Sequence, residues 1–190
     1  MKLSSHLARR VAAATAVAGA AILIPAVALA APGRAAAPQA SAPGCTASQV
    51  QPWLGLPGSG TAGSTFYQLE ISNVSKSTCT LRGFPGVSAQ AADGRQFGSP
   101  AGRDFSGPVR LVTLAPGATS HVELQVTDVG VFSPAQCGQT ISQSLRVFAP
   151  GDFRSHEIGG ASFQVCSKAG PVYLHVSPVA AGTGIPLFTN

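Results

Sequence analysis

Four cysteines, Cys45, Cys79, Cys137 and Cys166, constrain this 190-residue chain more than any other feature. All four follow an apolar leader, and an even number of cysteines in an exported chain reads as two disulfides. Four cysteines allow three pairings. Cys45–Cys79 with Cys137–Cys166 is favoured, because each bond closes a moderate loop and the two loops do not interleave. Loops of that size stabilise by roughly 3–4 kcal/mol each in the chain-entropy picture. The C-x-x-C or C-x-x-H spacing of a zinc site is not present.

The leader covers residues 1–30. Lys2, Arg9 and Arg10 form a positive start, and the uncharged run from Val11 to Ala31 has its most apolar stretch at Ile22-Leu23-Ile24. Pro25 breaks that run before Ala28-Leu29-Ala30, a small-residue signal that places cleavage after Ala30. Arg9-Arg10 permits a twin-arginine route. No lipid-acceptor cysteine follows the leader, since the first cysteine is Cys45 behind Ala42-Pro43-Gly44. The expectation is a secreted protein, extracellular or associated with the cell wall, with no stable membrane span once cleaved.

Residues 31–44 are Ala, Pro and Gly with a single charge, and read as a flexible linker. Residues 45–190 hold every aromatic, which suffices for one sizeable core. The whole chain carries +5, but three of its twelve basic residues lie in the leader. The remaining nine face seven acids, a balance of +2. That gives no electrostatic case for nucleic acid.

The hydrophobic pattern beyond Cys45 has period two. Val122, Leu124 and Val126 alternate with His121, Glu123 and Gln125, and Val172, Leu174 and Val176 alternate with Tyr173 and His175. The intervening residues, Tyr173 and His175 among them, are expected to face solvent. Asp93-Gly94 and Pro116-Gly117 mark turns. Seven or more such strands predict an all-β fold, an antiparallel immunoglobulin-like β-sandwich. Ser133-Pro134 is the best start for a short helix, over 133–136.

Chemistry-bearing motifs are sparse. Gly58 to Gly63 spells G-x-G-x-x-G, but a strand rather than a helix is expected after it, so a hairpin is the better reading. There is no G-x-S-x-G. His121, His156 and His175 would need to converge for a metal site or a triad, and Glu70, Glu123 and Glu157 for paired-carboxylate catalysis. Asn73-Val74-Ser75 is a formal glycosylation sequon whose plainer reading is a turn. No catalytic residue, cofactor or metal is assigned.

Two Gly/Pro segments remain as candidate contact loops. Residues 93–110 carry Arg95, Phe97, Arg103, Phe105 and Arg110, and residues 150–160 carry Phe153, Arg154 and His156. Arginine and aromatic residues on loops are favoured at interfaces.

The run Leu69-Glu70-Ile71-Ser72-Asn73-Val74-Ser75 and the block Cys79-Thr80-Leu81-Arg82-Gly83-Phe84-Pro85-Gly86-Val87 resemble a family of exported actinobacterial domains of unknown function, catalogued as 4232. Leu114-Ala115-Pro116-Gly117, Cys137 before a strand, and Cys166 before the closing strand at 172–176 are similar to it too. The resemblance spans Cys45 to Val179. It implies an extracytoplasmic β-sandwich with two disulfides, often lipid-tethered, and brings no catalytic residues. The functional expectation is a non-catalytic binding module of the cell envelope or extracellular space, its partner a protein or glycan. The alternatives are a secreted hydrolase assembled only in three dimensions, and a subunit of an exported complex.

Overall fold

Alternation of apolar and polar side chains lets a strand bury one face and wet the other, and that pattern organises two main sheets. The computed structural model describes residues 41–61 and 63–184. The expected signal peptide and most of the expected linker lie outside the described residues.

The first sheet contains β1 (Val50–Thr61) and β2 (Ser64–Asn73), an antiparallel hairpin. The second contains β4 (Gly86–Gln90) and β5 (Gln96–Phe97), joined through the Asp93-Gly94 turn. Between them in sequence, β3 (Cys79–Arg82) pairs with β7 (Leu111–Leu114) as a separate ribbon. After β5 the chain crosses to the first sheet, where β6 (Gly102–Arg103) is added at the edge. The long β8 (Thr119–Thr127) lies against β2 over nine paired residues.

A capped turn of helix, α1 (Pro134–Cys137), follows, with the Ser133 hydroxyl accepting from the Gln136 amide as the sequence pattern predicts. Then β9 (Gln139–Ile141) pairs with β12 (Gln164–Cys166), and β10 (Ser144–Phe148) takes β4 on one side and β11 (Ser155–Gly159) on the other. The last strands, β13 (Leu174–Val176) and β14 (Ala180–Ala181), both pair with β8. The β6–β13 pair is parallel, an exception to the expected antiparallel pattern. It arises because β6 reaches its sheet by a crossover rather than a hairpin.

Leu69, Ile71, Val122, Leu124, Leu174 and Val176 of the first sheet share one buried cluster with Val87, Ala89, Leu145 and Val147 of the second. Both disulfides form as expected, Cys45–Cys79 and Cys137–Cys166. The predicted immunoglobulin-like β-sandwich with two disulfides is therefore the observed architecture.

Tyr173 corrects one expectation. It is fully buried rather than solvent-facing, and its hydroxyl donates to the Phe97 carbonyl at 3.2 Å. The regular alternation begins only at Leu174, where β13 starts, so Tyr173 precedes the strand and turns inward. Burial pushes its phenol up to about 12.

Candidate functional site

Register fixes which loops meet at each end of the second sheet. Gly86 of β4, Phe148 of β10 and Ser155 of β11 lie level. Residues before Gly86, after Phe148 and before Ser155 therefore project beyond the same end. The chain leaving β6 arrives there as well, since Phe105 meets Phe84 edge-on at 4.8 Å between ring centroids. The Arg103 guanidinium lies over the other partner of that pair, 5.6 Å from the Phe84 ring centre. Cation and ring quadrupole attract in that arrangement. Phe105 is nonetheless 69% exposed.

Gly102 lets β6 approach β13 closely enough to place this cluster. A Cβ there would fall 2.9 Å from the His175 ring and 3.1 Å from Val172. Asp104, next along, is held by the Ser106 amide at 2.9 Å and hydroxyl at 2.8 Å. Those two bonds hold its carboxyl below the usual value, with a smaller contribution from His175. Beyond it, Pro108, Arg110 and Leu111 face Pro178, Val179 and Ala181 across an open groove of about 440 Å³. Val109 and Leu111 are exposed, and the exposed Arg82 pairs with Leu111 across β3–β7.

The 149–154 turn completes this end. Phe153 is 95% exposed. Beside it, Asp152 accepts from the Arg154 amide at 2.9 Å and from the Ala47 amide, and the former bond leads in holding its carboxyl low. Arg82, Arg103, Arg110 and Arg154 are all exposed, and none makes a salt bridge among the described residues. Asp104 is thus held by an amide and a hydroxyl, and Asp152 by two amides.

The remaining candidates fall elsewhere. Arg95 sits at the opposite end, 3.9 Å from Asp93 and 5.1 Å above the Phe97 ring centre. Phe97 is a buried residue of β5 and offers no contact surface, because the turn at Asp93-Gly94 folds it back onto Ala89. His156 lies on β11 rather than in a loop, with Nε2 donating to the Ala47 carbonyl at 3.0 Å. The 93–110 segment therefore divides. Arg103, Phe105 and Arg110 join Phe153 and Arg154 at one end, and Arg95 and Phe97 stay at the other.

Glu70 and His121 are cross-strand neighbours on the first sheet. The segment after β14 passes over them, with Gly184 N–H donating to Glu70 Oε1 at 2.8 Å and His121 Nδ1 donating to the Gly182 carbonyl at 2.9 Å. Glu157 lies on the other sheet, opposite Arg146. Asn73 is buried, its amide donating to the Ser77 and Leu114 carbonyls, so it closes the turn after β2. The glycine-rich Gly58–Gly63 stretch ends the β1–β2 hairpin. Among the described residues, no three of His, Cys, Asp and Glu gather as metal ligands.

Sequence reasoning missed Phe84 and Arg82 as parts of the exposed cluster. Both lie in the Cys79–Val87 block, which drew notice only for its likeness to a family. Gly83 and Pro85 around Phe84 were the available turn signal.

The family described as Domain of unknown function (DUF4232) has a model that matches residues 45–180, more than two thirds of the chain. No curated protein and no solved structure matches.

Proposed function

The chain belongs to the DUF4232 family, and from that premise we propose that it is a secreted, non-catalytic binding module acting in the cell envelope or extracellular space. One observation carries the reading: Phe105 and Phe153, both largely exposed, stand at the same end of a disulfide-braced sandwich with four exposed arginines that make no salt bridge among the described residues. Large exposed apolar side chains are usual at interaction sites when they cluster, and arginine with aromatic residues dominates binding energy. Export is supported by the Lys2-to-Ala30 leader pattern and by two disulfides, which persist in oxidising compartments.

The test is affinity capture from culture supernatant and cell wall, using the disulfide-intact chain from Ala31 as bait. A partner retained by the parent and lost with Arg103→Ala and Phe105→Ala together supports the reading. Retention of every partner by that double variant removes this end of the molecule from the proposal.

A further inference from the structure

Deepening that reading, we propose that the loop end docks onto an anionic lipid bilayer, with Phe153 and Phe105 entering the interface and Arg82, Arg103, Arg110 and Arg154 meeting the headgroups. Three observations lead there. Phe153 is 95% exposed on the 149–154 loop, which leaves its ring free to enter a fluid interface. A protein hot spot more often seats its aromatic in a matching pocket. Phe105, Val109 and Leu111 are exposed as well, and Phe105 stands at the same end of the second sheet as Phe153. The charge at this end is complementary to an acidic surface. Among the described residues the four guanidiniums are exposed and unpaired by salt bridges, and they outnumber Asp104 and Asp152, whose hydrogen bonds keep both carboxylates charged. Apolar side chains ringed by arginine are what interfacial anchoring requires, since the rings lie at the acyl boundary and long cationic chains reach the headgroups.

This inference rests on the binding-module reading but fails separately from it. The probe is a vesicle of about equal parts phosphatidylglycerol and phosphatidylcholine, compared with phosphatidylcholine alone. The protein is the disulfide-intact chain from Ala31, which keeps the whole core and removes the apolar leader as a source of binding. Co-sedimentation is expected with the acidic vesicles, weakening by about fivefold for Arg103→Gln or Arg110→Gln. Phe153→Ala should weaken it about tenfold or more. Salt near 1 M, where the screening length is ~3 Å, should abolish most of it.

Phe153→Trp provides a readout of depth. Brominated acyl chains should quench its fluorescence but leave the parent's Trp53 unchanged. Circular dichroism and the thermal midpoint of each variant establish that it is folded. Equal binding to neutral and acidic vesicles would overturn the proposal, as would full binding by Phe105→Ala with Phe153→Ala. Binding of polyglutamate through the same arginines, with no vesicle binding, would overturn the lipid surface while leaving the binding module intact. No vesicle binding, together with capture of a partner insensitive to all these residues, would remove this end of the molecule from both proposals.

Discussion

At the Asp93-Gly94 end of the second sheet, two arginines, a glutamine and a phenylalanine are tied back onto the body. Arg146 and Gln90 both donate to the Gly94 carbonyl, at 2.8 and 2.7 Å, Arg95 stacks over Phe97, and the Phe97 carbonyl receives the Tyr173 hydroxyl. At the Gly86–Phe148–Ser155 end, Arg103 and Phe105 meet the Phe84 ring yet stay exposed, and Arg110, Arg154 and Phe153 are exposed too. Loop composition is similar at the two ends. What differs is that the first end gives its arginine and glutamine a backbone carbonyl to bind, so residue type alone does not separate a structural turn from a contact surface.

The contrast is sharpest for two aromatics. Tyr173→Ala should destabilise the domain by about 3–5 kcal/mol, because a fully buried ring and its hydrogen bond are lost. Phe153→Ala should stay within about 0.5 kcal/mol. Urea unfolding of both variants measures the difference, and similar costs would break the comparison. The phenol itself has its pKa raised, so its neutral form is favoured on folding. That contribution is present below the ordinary tyrosine range and is lost as pH rises through about 12.

Next in size is the brace near the tied-back end, where Gly98 donates to the Ser167 carbonyl beside Cys166. Replacing Cys137 and Cys166 together by serine should cost about 3 kcal/mol, given a sequence separation of 29. A denaturation midpoint shifted no more than that of a surface variant would show that the hydrogen bonds hold this end without the crosslink.

Smaller again, Arg146→Ala should cost about 1–2 kcal/mol through its lost bond to the Gly94 carbonyl, with Arg103→Ala near zero. Thermal midpoints of the pair order them. The smallest effect is acid sensitivity. Asp104 and Asp152 have lowered pKa values, so their contribution is present above the ordinary carboxylate value and is lost as pH falls through the lowered one. Both are exposed to solvent, so Asp104→Asn and Asp152→Asn should only slightly flatten the acid limb of a urea-midpoint-against-pH curve.

Much of the architecture was legible because it is local. The 121–126 alternation gave β8, Asp93-Gly94 gave its hairpin, and Ser133 before Pro134 gave α1. The disulfide pairing followed from loops that do not interleave. Features set by distant partners were harder to read. Phe97 looks like a loop residue until β4 is placed beside it, and Tyr173 fits an alternating pattern whose true start is one residue later. Glu70 sits on a strand face that should be wet, yet it is buried, with Gly184 bonded to it from the segment after β14. The exposed end was half legible. Arg103, Phe105 and Phe153 were flagged, but their convergence depends on the level row through Gly86, Phe148 and Ser155.

The two closing strands also bear on how the molecule is made. β8, central to the first sheet, takes one edge from β2 and the other from β13 and β14, whose residues lie at 174–181. That layer can therefore close only after residues 174–181 have been made, so its assembly waits on contacts distant in sequence.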